Sequence, residues 1–273
     1  MGINLKLIFK YYRVKDWQAY FALGFFGFVI AKGFLFPLFN IFLFFLTLCL
    51  MLAFGFAINN FFDIKEDREK NLNPLPQNRK NFLLSILPGI LALFLSIPFG
   101  LKVFLFVFVA ELIGFFYSAP PLRMKSKPFL DLISHGLFAG ALLFIFPFLF
   151  FSQRLNTFHY LIAFSIFYLS TMLEMRNHLD DYQSDFRAGL KTSVCFLGYK
   201  NSETLLRYLT IFYPLTLLPI FSLISFKFLL FFFFFTLLFL LLYLFKKNYQ
   251  IIEILYPTLS YFTISVGILY QGL

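Results

Sequence analysis

Nine runs of mostly apolar residues, divided by short charged or turn-rich stretches, leave this chain few ways to fold. They lie near Trp17–Ala31, Pro37–Phe61, Phe82–Pro98, Val103–Tyr117, Phe129–Phe151, Phe158–Leu173, Leu205–Phe226, Phe228–Phe245 and Ile251–Tyr270. A helix that crosses a bilayer needs about 20 such residues; the first, fourth and sixth runs are short of that. Only 13% of the chain is charged and 60% is hydrophobic, whereas a soluble domain carries about a quarter charged residues. The chain therefore reads as an all-α, multi-pass integral membrane protein, with residues 1–273 forming a single domain. Phe occurs 47 times and fills lipid-facing positions as well as Leu does, so runs such as Phe231 to Phe235 read as filler against lipid. Pro88, Pro98, Pro214, Pro219 and Pro257 fall inside or at the ends of these helices, where membranes tolerate kinks.

Charge then sets an orientation. If the N-terminus is cytoplasmic, only Lys32, Lys102, Arg154 and Lys227 of the 23 Lys and Arg residues fall on the outer side. The positive-inside bias favours that topology. It also accounts for the net charge of +10 without nucleic acid, and anionic lipid headgroups become the simpler partner. Asp131 and Glu253 then sit near cytoplasmic helix ends, where they read as interfacial. Cys49 falls in a membrane run and Cys195 in a loop, so no disulfide is expected. His135, His159 and His178 have no zinc-like spacing. No Gly-rich nucleotide loop occurs, and the N-terminal stretch does not read as a cleavable signal.

Against this background two polar patterns stand out. Asn59-x-x-x-Asp63-x-x-x-Asp67 recurs as Asn177-x-x-x-Asp181-x-x-x-Asp185, each member 118 positions after its counterpart. Residues four apart share one helix face, so each copy predicts a stripe of one amide and two carboxylates at the cytoplasmic end of a helix. Eight of the 13 acidic residues lie in the two stretches around these stripes (Asp63, Glu66, Asp67, Glu69; Glu174, Asp180, Asp181, Asp185). Oxygen-rich stripes beside lipid are costly unless they hold cations. Two facing each other would clamp Mg²⁺ and a diphosphate, since Mg²⁺ takes oxygen ligands and retains waters and substrate phosphates. Glu111, inside the fourth run, is a further candidate, because an intramembrane carboxylate is functional by default.

Three segments together resemble the signatures of the UbiA-type intramembrane prenyltransferases: the Asn59–Asp67 stripe, Tyr117-Ser118-Ala119-Pro120-Pro121-Leu122-Arg123-Met124-Lys125, and Asp181-x-x-x-Asp185-x-x-x-Gly189-x-x-Thr192. Asn73-Pro74-Leu75-Pro76 is similar to an Arg-Pro-Leu-Pro segment of many members, with Asn in place of Arg. The resemblance implies a bundle of about nine transmembrane helices around a central cavity, capped by cytoplasmic-facing Asp-rich loops. It implies Mg²⁺-dependent transfer of a polyprenyl group from its diphosphate to a small acceptor, an aromatic or quinone/chlorophyll-pathway precursor. Ether-lipid glycerol phosphates and carotenoids are the alternative acceptors.

On this reading Asp63 and Asp67 hold one Mg²⁺ and Asp181 and Asp185 another, with Asn59 and Asn177 adding hydrogen bonds or an amide oxygen. Arg68, Arg123, Lys125 and Lys191 are candidates for the diphosphate, and Tyr117 for the cavity entrance. Glu111 is a candidate to take the acceptor's proton or to pair a cation in the cavity. Gly189 is expected to permit a turn and Thr192 to cap the next helix. The competing class is an ion-coupled transporter, but transporters place such residues near the bilayer midplane on interrupted helices, and these stripes sit at the membrane edge.

Overall fold

A computed structural model of the protein describes residues 5–64, 76–246 and 250–271, and within them every regular element is helical. In chain order these are α1 (Leu5–Tyr11), α2 (Gln18–Ile30), α3 (Leu38–Phe62), α4 (Arg79–Ser96), α5 (Leu101–Ser118), α6 (Leu130–Gly136), α7 (Leu142–Phe150), α8 (Thr157–Asp180), α9 (Tyr182–Arg187), α10 (Ser193–Leu197), α11 (Tyr199–Ile224), α12 (Phe226–Lys246) and α13 (Tyr256–Gln271). A π-helical turn, Leu137–Ala141, joins α6 to α7 as one span, and a second, Ile251–Leu255, leads into α13.

Eight spans among the described residues are long and apolar enough to cross a membrane. The expected nine therefore become eight plus one shorter helix. The Trp17–Ala31 run forms α2, 13 residues long, which is about 20 Å against a hydrocarbon core of about 30 Å. The sixth run errs the other way, since α8 continues past Leu173 to Asp180. Its charged last turns are helical because tertiary partners satisfy them: Arg176 makes a two-pronged bond to Glu253, Nε at 3.0 Å and Nη2 at 2.7 Å. Glu253 is thus buried, not interfacial, and Asp131 is fully buried too.

The prolines are accommodated locally. Pro88 lies inside α4 and has no N–H for the carbonyl four residues back. That carbonyl, Leu84 O, instead accepts from the Tyr12 hydroxyl at 2.9 Å. Asn60 Nδ2 in turn donates to Tyr11 O at 2.5 Å, so the N-terminal segment is tied to both α3 and α4.

Two apolar cores carry the bundle. One gathers Ile162, Ile166 and Met172 of α8 with Tyr213, Leu217 and Phe221 of α11 and Ile264 of α13. The other is aromatic, around Phe44, whose ring lies 5.2 Å from Phe146 and 5.3 Å from Phe151. On α12 Phe231, Phe233 and Phe234 face outward while Phe232 is buried, as expected of a helix against lipid. Between the cores α2 lies very close to α7: a Cβ added at Gly27 would stand 2.3 Å from Phe144 O, whereas one at Gly55 meets nothing within 4 Å. Gly27→Ala should therefore cost about 2 kcal/mol by overpacking against backbone, lowering Tm by roughly 4–8 °C. Gly55→Ala should leave Tm level or raise it, because Ala stiffens a helix position that faces open cavity space. Thermal unfolding in detergent compares the two, and equal midpoints would contradict this packing.

Candidate active site

The two stripes end at helix boundaries. α3 stops at Phe62 and α8 at Asp180, so Asp63 and Asp181 are the residues just beyond. The straight stripe predicted from the spacing is therefore bent at Asp181 in the second copy, and in the first the helix ends one residue before Asp63. The four-residue register nevertheless survives in the backbone: Asp63 N donates to Asn59 O (3.0 Å), Asp181 N to Asn177 O (2.9 Å) and Asp185 N to Asp181 O (3.0 Å). The chain turns at Asp181 into α9, which carries Asp185 back toward the cavity. α9 ends in a Schellman motif, with Gly189 N donating to Phe186 O and Leu190 N to Asp185 O. This needs the positive φ of 73° that Gly189 adopts. Thr192 then caps α10 through Cys195 N at 3.2 Å.

These ends open on a cavity of about 450 Å³, a size typical of small-ligand sites. Asn59, Asp63, Asn177, Asp180, Asp181 and Asp185 line it, together with Tyr117, Lys125 and Glu111. Tyr117 to Lys125 leaves α5 at Ser118 and doubles back over the first stripe, with Asn59 Nδ2 donating to Ser118 Oγ at 3.2 Å. Lys125 forms an ion pair with Asp63 Oδ1, and Arg123 Nη2 stands 3.7 Å from the same oxygen. Lys125 is 8% exposed, so this cation is held inside the site. Lys191 is exposed and does not line the cavity. Asp67, Arg68 and Asn73-Pro74-Leu75 lie outside the described residues.

One network was not legible as a site from spacing alone. The Glu174 carboxylate, three residues before Asn177, accepts from Tyr117 Oη (2.5 Å) and Asn177 Nδ2 (3.1 Å). His135 Nε2 and His178 Nε2 lie 3.3 and 3.2 Å from its two oxygens. The other imidazole nitrogen of His178 is 3.2 Å from Asp131 Oδ2, and Asp131 accepts from Ser193 N at 2.6 Å and from Ser193 Oγ. A chain of bonds thus runs from the cavity wall through α6 and α8 to the start of α10, tying down the second Asp-bearing loop. Two of the three histidines, His135 and His178, meet at one carboxylate although they lie far apart in sequence. The available signal was the i,i+4 pairing of Asp131 with His135 and of Glu174 with His178. Arg13 is a second addition: it lines the cavity with its guanidinium 5.4 Å over the Phe56 ring.

At its mouth the cavity therefore offers carboxylate and amide oxygens with Lys125, Arg123 and Arg13 beside them. Deeper in, Met51, Leu52, Phe54, Phe138 and Leu143 make an apolar wall. Among the described residues no three His, Cys, Asp or Glu side chains close into a metal cage. An oxygen-only donor set that leaves room for phosphate and water suits a hard cation such as Mg²⁺, which is bound by one or two carboxylates plus substrate.

The family model for the UbiA prenyltransferase family matches residues 20–260. Solved structures of a UbiA homolog from Archaeoglobus fulgidus are similar along nearly the whole length. The one bound to GPP and Mg²⁺ has a TM-score of 0.72 at 21% identity, covering 98% of this chain and 100% of its own. A digeranylgeranylglyceryl phosphate synthase structure aligns with a TM-score of 0.71 at 19% identity, over 96% of this chain and 98% of its own. At such identities the likeness is one of fold. Two curated relatives are each 30% identical. A 1,4-dihydroxy-2-naphthoate octaprenyltransferase of Bacillus subtilis aligns over 98 residues, 36% of this chain and 31% of its own length. A digeranylgeranylglyceryl phosphate synthase of Methanobrevibacter smithii aligns over 164 residues, 54% of this chain and 55% of its own. The chain thus spans about a third to a half of the length of these curated relatives.

The Glu174 network makes a stability prediction. Removing the carboxylate in Glu174→Ala strands two imidazoles, a phenol and an amide, which should cost about 3 kcal/mol or more. Asp180→Ala, at an exposed position on the rim, should stay within about 0.5 kcal/mol of wild type. Thermal or denaturant unfolding in detergent checks both; similar losses for the two variants would sink the proposed hub.

Proposed function

Because the chain belongs to the UbiA prenyltransferase family, we propose that it transfers a prenyl group from a polyprenyl diphosphate, with Mg²⁺, to a hydroxylated aromatic or quinone-type acceptor. The observation that carries this reading is one cavity with two chemistries: carboxylates and cations at the mouth, apolar and aromatic side chains within. A prenyl diphosphate has the same division between anionic head and apolar tail.

Asp63 and Asp67 would hold one Mg²⁺ and Asp181 and Asp185 the other, with Asn59 and Asn177 as amide partners. Bound there, Mg²⁺ would neutralise the charge that builds on the departing diphosphate. Lys125 and Arg123, already facing Asp63, stand ready for the same head group, and Arg68 is a further cation for it. Tyr117, with its hydroxyl fixed on Glu174, holds an aromatic ring at the cavity wall, where the allylic cation would gain from a π face. The apolar wall excludes water that would otherwise quench that cation. Glu111 belongs to the acceptor's part of the cavity. The whole of 1–273 acts as one prenyltransferase domain, with the N-terminus and both Asp ends in the cytoplasm, as the Lys/Arg bias favours.

The aromatic acceptor is supported by the Tyr117–Lys125 segment and by the naphthoate-prenylating relative. A glycerol-phosphate ether lipid is the second reading, favoured by the longer alignment to a digeranylgeranylglyceryl phosphate synthase. Pyrophosphate release from purified protein in liposomes decides between them. Geranylgeranyl and longer polyprenyl diphosphates would be offered, with and without Mg²⁺, against both acceptor types. Release should require Mg²⁺ and one acceptor, and Asp181→Asn should lower it by about 100-fold or more without unfolding the protein. Asp63→Asn should do the same, with some stability lost because Asp63 also anchors Lys125. Folded Asp181→Asn protein with full activity would refute the assignment, and wild type releasing nothing would turn attention to transport.

A further inference from the structure

The diphosphate site leaves one buried polar group unexplained. Glu111 lies on α5 seven residues before Ser118, the residue that meets Asn59. Its carboxyl is therefore about 10 Å deeper in the cavity than the amide end of the first stripe. It is 7% exposed, and Oε1 has no hydrogen-bond partner among the described residues. No described Lys, Arg or His forms an ion pair with it.

Its surroundings explain the isolation. Across from it on α4 is Gly89, where an added Cβ would lie 3.1 Å from Glu111 Oε2 and 2.7 Å from the Phe54 ring. The neighbouring α4 surface is thus bare backbone, with an aromatic edge from α3. Ala110, Gly114, Phe138 and Leu143 line the cavity around it and offer no side-chain donor. Other buried carboxylates are surrounded: Glu174, Asp131 and Glu253 each have two or more donors or cations. A carboxyl left alone in an apolar wall is unfavourable, and its natural complement is a donor that arrives with a ligand.

We infer that Glu111 is the specificity-determining residue of the acceptor subsite, accepting a hydrogen bond from a hydroxyl on the acceptor's inner end. This inference rests on the prenyl-transfer reading above. The carboxyl complements an uncharged hydroxyl, which brings the donor that its Oε1 lacks, whereas a methyl ether brings none. Any anionic group of the acceptor points the other way, toward Arg13, Arg123 and Lys125 at the mouth. Gly89 is part of the same device, since any side chain there fills the space beside the carboxyl.

The test uses full-length protein in phosphatidylcholine vesicles with geranylgeranyl diphosphate and Mg²⁺. The probes are a naphthalenediol and its dimethyl ether, with an alkylglycerol and its methyl ether as a parallel pair. Wild type should bind the hydroxylated member of one pair about tenfold more tightly than its ether, and the pair that responds identifies the carrier of the hydroxyl. Glu111→Leu should bring that ratio to about one, while Glu111→Gln, which keeps an accepting oxygen, should retain most of it. Affinity for geranylgeranyl diphosphate should stay within about twofold in both variants, which also reports that they are folded. A tenfold ratio that persists in Glu111→Leu overturns the inference, as does a wild type with no ratio for either pair. Wild type that fails to bind geranylgeranyl diphosphate with Mg²⁺ overturns the prenyl-transfer reading, and the inference with it.

Discussion

A carboxylate inside a membrane bundle is costly unless donors surround it, and the donors around Glu174 organise the site. Its four partners come from three helices: Tyr117 on α5, His135 on α6, and Asn177 and His178 on its own helix. Through His178 and Asp131 the same chain of bonds reaches Ser193 at the start of α10. In water each of these contacts would contribute little; in a low-dielectric interior an unmet partner is expensive. The network therefore fixes helix rotation and loop position together, and the Asp-bearing ends inherit that placement.

The division of the cavity follows from the same physics. Near the membrane edge, oxygen ligands and cations balance one another: Asp63 faces Lys125 and Arg123, and Arg13 lies over Phe56. Further in, Glu111 interrupts a mostly apolar wall. A substrate with an ionic head and a hydrocarbon tail has one sensible direction in such a field. The head-group region is rigid through hydrogen bonds, whereas the inner region is shaped by Gly89, Phe54 and Phe138, small and flat surfaces that leave volume.

Much of this was readable from local pattern. Apolar runs placed six of the eight membrane-length helices to within about three residues at both ends, and Gly189 and Thr192 adopt the turn and cap expected of them. The misreadings share a cause. α8 continues past Leu173 because Arg176 and Glu174 meet partners distant in sequence, Glu253 for the first and Tyr117 and His135 for the second. Glu253 is buried, not interfacial, for the same reason. The second stripe bends at Asp181, since α8 ends there while the backbone bonds continue into α9.

The sequence alone determined the membrane class, the helix periodicity and the two repeated Asn/Asp stripes, because these depend on residues within a turn or two of one another. Tertiary structure decided which stripe residues share the cavity, that Lys125 pairs with Asp63, that His135 and His178 meet at Glu174, and that Glu111 Oε1 has no hydrogen-bond partner among the described residues. Those facts join residues tens of positions apart. Periodicity says which face of a helix is polar, but only the packing of one helix on another says what that face will touch.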